Sequence, residues 1–439
     1  MRSNDTIFAA ASGLGRSAVC VIRISGPHTR AVLEALAGGL PAPRHLALRR
    51  MVEPGTGEPL DQALVAWMPA PNSFTGEDQA ELHIHGGLAT RTAVLRALGT
   101  VTGCRMAEPG EFTRRAFLNG RMDLSGVEGL ADLIDAETEA QRRQALRQLE
   151  GRLGSLVETW RARLIEALAL LEAALDFSDE GEVPATLEGE AEAIVAEVNS
   201  AMRRSLADGQ RGERLRDGFV VVLAGPPNAG KSTLLNALAQ RDVAIVSPFA
   251  GTTRDAIEVR CDLLGLPVTF VDTAGLRDSA DPIEREGVAR TRARLGSADL
   301  VLWLVAPDLP GEAGPAGNVP ILRLGTKADL RGANRDGVDL TVSAATGAGI
   351  ADLLDRIGRE AETALGAGDA VLTRERHRRA LETAQAALAC AQAALTEGVF
   401  GELAAEDVRL ALRALGAITG RVDVEDILDR LFATFCIGK

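Results

Sequence analysis

Tyrosine is absent from the 439 residues, aromatic residues amount to 3%, and histidine occurs five times. With so few rings, cores must be built from Leu, Val, Ala and Ile. A base-stacking surface of interleaved aromatics is therefore disfavoured. Five cysteines (Cys20, Cys104, Cys261, Cys390 and Cys436) are scattered, odd in number and never spaced as Cys-x-x-Cys. That spacing argues against zinc or dithiol chemistry and fits a reducing compartment. No apolar run approaches the roughly 20 residues that span a bilayer, and the first residues lack the basic-then-apolar pattern of a secretory signal. A cytoplasmic protein without a membrane partner is expected. Positive charge is also short: 48 Lys and Arg against 61 Asp and Glu leave a net charge of −13. Such a chain does not coat nucleic acid non-specifically, although local phosphate contacts remain open.

What is present is a globular composition, 46% hydrophobic and 25% charged, on a chain long enough for several domains. Residues 1–118 read as a mixed α+β domain. Val19 to Ile24 is strand-like between glycine punctuation, helices are expected near 29–37 and 88–98, and the turn-rich Pro69 to Asp78 stretch is a candidate binding loop. Over 124–175 the period becomes helical. Leu146, Leu149, Leu153, Leu156, Trp160, Leu164, Leu168, Leu171 and Leu175 form one apolar stripe, expected on a single long helix. A second helix is expected over 184–208.

At Phe219 continuous apolar runs take over: 219–224, 268–271, 300–305 and 321–324 alternate with helical segments. Runs without alternation are those of strands buried on both faces, so 218–368 reads as an α/β domain with a mostly parallel sheet. After it, Leu381, Ala384, Leu388, Ala391 and Leu395, then Val408, Leu412, Leu415 and Ile418, restore the helical period. Neither helical part, 119–217 or 369–439, looks self-sufficient. The expected architecture is therefore one split helical domain with the α/β domain inserted.

Gly225-Pro-Pro-Asn228-Ala229-Gly230-Lys231-Ser232 fits G-x-x-x-x-G-K-[ST] between a buried strand and a helix that starts with Thr233. Glycines there let backbone N–H groups wrap phosphates, Lys231 reaches the outer phosphates, and the Ser232 hydroxyl suits Mg²⁺. Asp272-Thr273-Ala274-Gly275 resembles the GTPase motif whose Asp supports the magnesium shell. Gly251-Thr252-Thr253 resembles the first switch, with Thr253 as a second Mg²⁺ hydroxyl. Thr326-Lys327-Ala328-Asp329 stands where such proteins carry Asn-Lys-x-Asp, and Ser343-Ala344-Ala345 resembles the last guanine-side loop. Asp329 can accept from guanine N1 and N2 donors, which adenine lacks, so the expected nucleotide is GTP. Leu276 stands where small signalling GTPases carry a water-orienting glutamine, a task no aliphatic side chain performs.

The ensemble of Asp5-Thr-Ile7, Arg23-Ile-Ser-Gly26, Asn72-Ser-Phe-Thr-Gly-Glu-Asp78, Pro109-Gly-Glu-Phe112, Ala116-Phe-Leu-Asn119, Ala131-Asp-Leu-Ile-Asp-Ala136, the GTPase motifs and the terminal Cys436-Ile-Gly-Lys439 resembles the MnmE (TrmE) family of bacterial tRNA-modifying GTPases over essentially the whole chain. The resemblance implies an N-terminal folate-binding domain that also forms a homodimer, and a Ras-like G domain set into a split helical domain. It implies work on tRNA with an FAD- and NADH-using partner of the MnmG (GidA) family. The product carries an aminomethyl or carboxymethylaminomethyl group on C5 of the wobble uridine, with the one-carbon unit from a tetrahydrofolate derivative.

The same resemblance implies potassium-stimulated GTP hydrolysis through juxtaposed G domains. Asn228, Ser247, Phe249 and Thr252 match its ion-holding positions within a loop, Ser247-Pro248-Phe249-Ala250-Gly251-Thr252, that also borders the nucleotide. Glu284 matches the glutamate credited with orienting the hydrolytic water. Arg23, Glu81, Arg121 and Lys439 match folate-contacting positions, Arg121 standing where a lysine is usual, and Cys436 matches a residue implicated in modification. Read without the resemblance, these charges belong to the surface and a lone terminal cysteine has no chemistry. Glu81, His83 and His85 share one strand face and could in principle hold zinc, but strand and cleft architecture is the preferred reading. The basic clusters Arg142-Arg143, Arg161/Arg163 and Arg374 to Arg379 are read as solvated helix faces open to tRNA phosphate. The alternatives are a regulatory GTPase switch in ribosome or RNA assembly, or a folate-binding scaffold with weak GTPase activity.

Overall fold

A computed structural model describes residues 5–13, 15–176, 183–245, 258–272, 298–309, 319–330, 337–366, 370–397, 401–422, 425–433, 435 and 437–438. The N-terminal elements are β1 (Thr6–Ala10), β2 (Val19–Ser25), α1 (Thr29–Ala37), β3 (Ala47–Val52), β4 (Pro59–Met68), β5 (Gln79–His85), α2 (Leu88–Gly99), β6 (Cys104–Met106) and α3 (Glu111–Leu118). Helices α4 (Leu124–Asp135), α5 (Glu139–Leu149), α6 (Arg152–Asp176) and α7 (Val183–Asp217) follow. The next segment holds β7 (Phe219–Ala224), α8 (Lys231–Ala239), β8 (Glu258–Leu263), β9 (Leu266–Asp272), β10 (Leu300–Val305), β11 (Ile321–Gly325), β12 (Leu340–Thr341) and α9 (Ile350–Leu365). Three further helices close the order: α10 (Glu375–Glu397), α11 (Gly401–Thr419) and α12 (Glu425–Ala433).

The chain divides into two units, Met1–Ala131 with Leu149–Thr159 and Arg413–Lys439, and Asp132–Gln148 with Trp160–Leu412. In the first, strands run β3-β4-β5-β2-β1-β6, antiparallel except for the β1–β6 pair. Val32, Leu33 and Leu36 of α1 and Val94 and Leu98 of α2 bury against Ile22, Ile24, Leu82 and Ile84. Because side chains alternate across a strand, burying those residues turns Arg23 of β2 and its register partner Glu81 of β5 to the opposite face. In the same unit Leu124 and Val127 of α4 pack with Leu428, Phe432 and Phe435.

The second unit carries a sheet ordered β12-β11-β10-β7-β9-β8, parallel throughout except for antiparallel β8. Phe219, Val221, Leu223, Val268, Phe270, Leu302 and Leu304 bury on α8 and α9. Its helical part joins residues from before and after the sheet: Asn199 of α7 donates to Gln392 of α10 at 3.4 Å, and the Arg161 side chain of α6 donates to the Leu412 carbonyl of α11 at 2.8 Å.

Three local expectations change. The apolar stripe begun at Leu146 lies on two helices, broken at Gly151, rather than one. The helix expected to end near 208 continues through Gly209 and Gly212 to Asp217. Strand β8 is an addition to the expected strands: its Glu-Val-Arg-Cys-Asp-Leu alternates polar with apolar as an edge strand does, without an apolar run. Among the described residues no helix is long and apolar enough to cross a membrane.

Candidate functional site

The buried strand β7 runs into the glycine loop and then α8. Gly225 passes so close to β10 that a Cβ there would lie 2.8 Å from the Leu304 carbonyl oxygen, so only glycine fits. Asn228 takes a positive φ of 62°, bending the loop back toward the helix N-terminus. Ala229 is buried, and Thr233 is exposed in the first turn of α8. The Lys231 ammonium donates to the carbonyls of Gly225 and Pro226, each at 2.9 Å, at the loop mouth. Ser232 donates from its hydroxyl to Oδ2 of Asp272, the last residue of β9, at 2.6 Å. A hydroxyl and a buried carboxylate at one strand end are the hard oxygen donors a Mg²⁺ shell takes.

The second cluster sits beyond β11. The Thr326 hydroxyl donates to the Ala229 carbonyl at 2.8 Å, tying this loop to the glycine loop. Lys327 adopts φ 54°, and its ammonium pairs with Asp308 at 2.5 Å. That hydrogen bond holds the Asp308 carboxyl below the usual range. The Ala328 amide donates to the Val342 carbonyl at 3.0 Å, and the Ser343 hydroxyl donates to Oδ1 of Asp329 at 2.6 Å. Ser343 is fully buried, with Ala344 and Ala345 more exposed in the turn that follows. Asp329 is thus oriented from behind by Ser343. Asp308 was not foreseen, since an isolated Asp in a loop carries no signal of its own.

In the first unit Arg23 and Glu81 meet at 3.2 Å, and the Arg23 guanidinium lies 5.5 Å from the Phe74 ring and 5.8 Å from the Phe112 ring. The Arg121 stem lies beside Gly76, and Asn119 donates to the Thr75 carbonyl at 2.7 Å, so the 72–78 loop connects these groups. Beneath that loop Arg115, 5% exposed, contacts Asp5 at 2.8 Å, Glu77 at 3.2 Å and Glu111 at 3.1 Å. Arg105 adds contacts to Asp5 and Glu111, both at 2.5 Å. Burial pushes the Asp5 and Glu111 carboxyls up, but hydrogen bonds and charge from the two arginines outweigh it, and both lie below the ordinary range. Sequence reasoning assigned no role to Phe74, Phe112 or Arg115, although all three fall within or between the quoted motifs. At the other chain end, Ile437 bridges to Pro109 and Gly438 lies against Ala10, docking the tail on the same unit.

On β5 the Glu81 carboxylate lies 3.4 Å from His83 Nε2, whereas His85 Nδ1 turns to Asp61 at 2.7 Å. Among the described residues no cluster of three or more His, Cys, Asp or Glu is arranged to hold a metal. The basic clusters are paired within the chain: Arg142 and Arg143 with Glu139, Arg163 with Glu166 and Glu197, Arg378 with Glu213 and Arg379 with Glu375. Ser247, Pro248, Phe249, Ala250, Gly251, Thr252, Thr253, Thr273, Ala274, Gly275, Glu284, Cys436 and Lys439 lie outside the described residues.

A parallel sheet whose central strand feeds a glycine cradle, with an Asp-ended neighbour strand and a Thr-Lys-x-Asp loop tied to the cradle, defines the P-loop GTPase class. Family models carry this further: one described as the MnmE helical domain matches residues 124–436, and one described as the GTP-binding protein TrmE N-terminus matches residues 6–121. The chain is 64% identical over 440 residues to a tRNA modification GTPase MnmE of Methylobacterium sp. (strain 4-46), covering 99% of this chain and all of that one. It is 59% identical to that of Methylobacterium radiotolerans and 54% to that of Azorhizobium caulinodans, each match covering 100% of both chains. The chain belongs to the MnmE family of tRNA modification GTPases.

Proposed function

We propose that this protein is the GTP-hydrolysing subunit of a tRNA-modification complex. In this reading it installs an aminomethyl or carboxymethylaminomethyl group on C5 of the wobble uridine, together with an MnmG-type flavoprotein using FAD and NADH. The observation that carries the GTPase part is the Ser232–Asp272 hydrogen bond beside the glycine cradle, joined through Thr326 and Ala229 to the loop bearing Asp329. Phosphate and base ends of one nucleotide are thereby served by loops locked to each other.

In this reading the cradle amides and Lys231 bind the phosphates, Asp329 accepts from the guanine N1 and N2 donors, and Ser343 keeps its carboxylate aimed. Ser232 and Thr253 would hold Mg²⁺ and Asp272 its hydration shell. The ion would neutralise charge on the phosphate oxygens. Glu284 orients the attacking water, replacing the glutamine that Leu276 displaces. Asn228, Ser247, Phe249 and Thr252 would hold K⁺, which supplies the positive charge an arginine finger supplies elsewhere, when two G domains meet.

The folate reading is supported by Arg23, which lies near two rings and pairs with Glu81, and by Arg121, whose stem lies beside Gly76 of the 72–78 loop. A carboxylate can accept two hydrogen bonds from an aminopyrimidine edge, and guanidinium groups suit folate carboxylates. In this reading Cys436 and Lys439 also act at the folate site; their chain neighbours Ile437 and Gly438 lie against Pro109 and Ala10. Domain boundaries at 118, 217 and 368 and a homodimer through the N-terminal domain complete it.

The test is reconstitution: protein, flavoprotein, NADH, GTP, a tetrahydrofolate one-carbon donor and unmodified tRNA, with the wobble nucleoside read by mass spectrometry. Modification that requires GTP and the folate donor is expected, and Cys436→Ser should hydrolyse GTP yet fail to modify. Modification without the folate donor would remove the cleft from this role.

A further inference from the structure

The Ala131-to-Ala136 motif has no part in the nucleotide and folate readings above, yet its Asp132 stands where the chain enters and leaves the α/β segment. Asp132 Oδ1 accepts from Arg216 Nε at 2.9 Å and from Arg374 Nη2 at 2.7 Å. Arg216 lies in the last turn of α7, just ahead of β7, the strand that carries the glycine cradle. Arg374 immediately precedes α10, where the chain returns to the helical part. One half-buried carboxylate therefore joins both crossings. The crossings also touch directly: a Cβ on Gly212 would meet the Leu372 carbonyl oxygen at 2.0 Å, so only glycine permits the approach.

The residues after Asp132 extend the contact to the sheet. Gln141 donates to the Arg216 carbonyl and Gln144 to the Gly212 carbonyl, both at 3.0 Å. The Ala140 amide donates to the Gly265 carbonyl in the β8–β9 turn at 3.1 Å, and Arg260 of β8 donates to Glu137 at 3.2 Å. Strand β8 is the element that follows the 247–253 segment in the chain. A polar cavity of about 220 Å³ lies among these groups, lined by Asp132, Gln141, Arg216 and Arg260. The helix end that leads into the cradle-bearing strand, the edge hairpin and the outgoing chain are thus hydrogen-bonded to one elbow, 132–144.

We propose that Asp132 is a positioning residue for GTP hydrolysis: through Arg216 and Arg374 it fixes the base of the G-domain sheet and so holds the catalytic loops in the geometry turnover needs. Charge-assisted hydrogen bonds to a shared carboxylate are directional, and a small displacement at a reacting centre costs far more in rate than in ground-state binding. The inference rests on the GTPase reading above.

The experiment uses full-length protein carrying Asp132→Asn or Asp132→Glu. It measures steady-state GTP hydrolysis, affinity for a fluorescent GDP, and amide hydrogen exchange in 214–221 and 370–378. For Asp132→Asn, kcat is expected to fall about tenfold with nucleotide affinity within about twofold of wild type. Exchange should rise at both crossings. Asp132→Glu keeps an ionised acceptor and should recover most of the rate, which a packing defect would not allow. Arg374→Gln, which frees only the outgoing crossing, carries the same expectation where Asp132→Asn does not fold. Wild-type turnover in Asp132→Asn overturns the proposal, as do equal losses in both Asp132 variants or affinity falling in step with rate. A wild-type protein without GTP turnover overturns the GTPase reading instead. Exchange, which needs no GTP, then decides the clamp: unchanged protection in Asp132→Asn overturns it.

Discussion

The Thr326 hydroxyl donates to the carbonyl of Ala229, so the loop bearing Asp329 is fastened to the glycine loop. A two-sided amide at this position would offer more hydrogen bonds, but one hydroxyl suffices for the link. Buried at 4% exposure, it also lies 3.4 Å from the Val305 carbonyl. Replacing Thr326 with Val keeps the shape and deletes the donor. Loss of about 1 kcal/mol is expected, or roughly fivefold weaker GDP binding, with Thr326→Ser near wild type. Competition against a fluorescent GDP measures both, and unchanged affinity in Thr326→Val would show that the link is dispensable.

In the proposed reading Asp329, hydrogen-bonded to Ser343, distinguishes guanine from hypoxanthine through the exocyclic amine. ITP should therefore compete about tenfold more weakly than GTP. Equal competition would remove Asp329 from base recognition. Ser343→Ala should narrow the difference, because its carboxylate partner then loses that orienting hydrogen bond.

Arg115 holds three carboxylates from β1's approach, the 72–78 loop and α3. Arg115→Met removes the buried cation that all three share, leaving Arg105 on Asp5 and Glu111 but no partner shared with Glu77, and should destabilise the first unit by about 3 kcal/mol near neutral pH. Asp5 and Glu111 are depressed in the folded protein, so their contribution is present above the unfolded values and lost as pH falls through the folded ones. The gap between wild type and Arg115→Met should accordingly close below about pH 4. Hydrogen exchange in β1 and α3 across pH follows this directly, and a gap independent of pH would contradict the electrostatic account.

GTP hydrolysis should be faster in K⁺ than in matched Na⁺, and the advantage should grow with protein concentration as G domains pair. Glu284→Ala should lower the rate about a hundredfold while sparing GTP affinity. Comparable rates in the two salts would defeat the ion assignment. Loss of affinity alone would defeat that of Glu284.

Much of the α/β segment was legible because its information is local. Strand β7 is an uninterrupted apolar run and the cradle is a contiguous motif, so neither needs a distant partner to be recognised. Strand β8 was not legible, since its alternating pattern becomes a strand only when β9 offers an edge. The helix expected over 184–208 runs on through Gly209 and Gly212, where the absence of side chains lets Leu372 pack closely. Arg23 and Glu81 were each singled out by resemblance alone, and the antiparallel register of β2 and β5 is what pairs them.

By itself the sequence determined the class of nucleotide site, the alternation of buried strands with helices, and the family, because each rests on residues adjacent in the chain. Tertiary structure alone decided what the scattered charges do. Arg115 meets Asp5 across 110 residues and Arg374 meets Asp132 across 242, and nothing near either arginine in the chain announces its partner. A lone charge reads as solvated surface until folding removes the water around it. Its free energy then depends on which opposite charge the fold has brought within hydrogen-bonding distance.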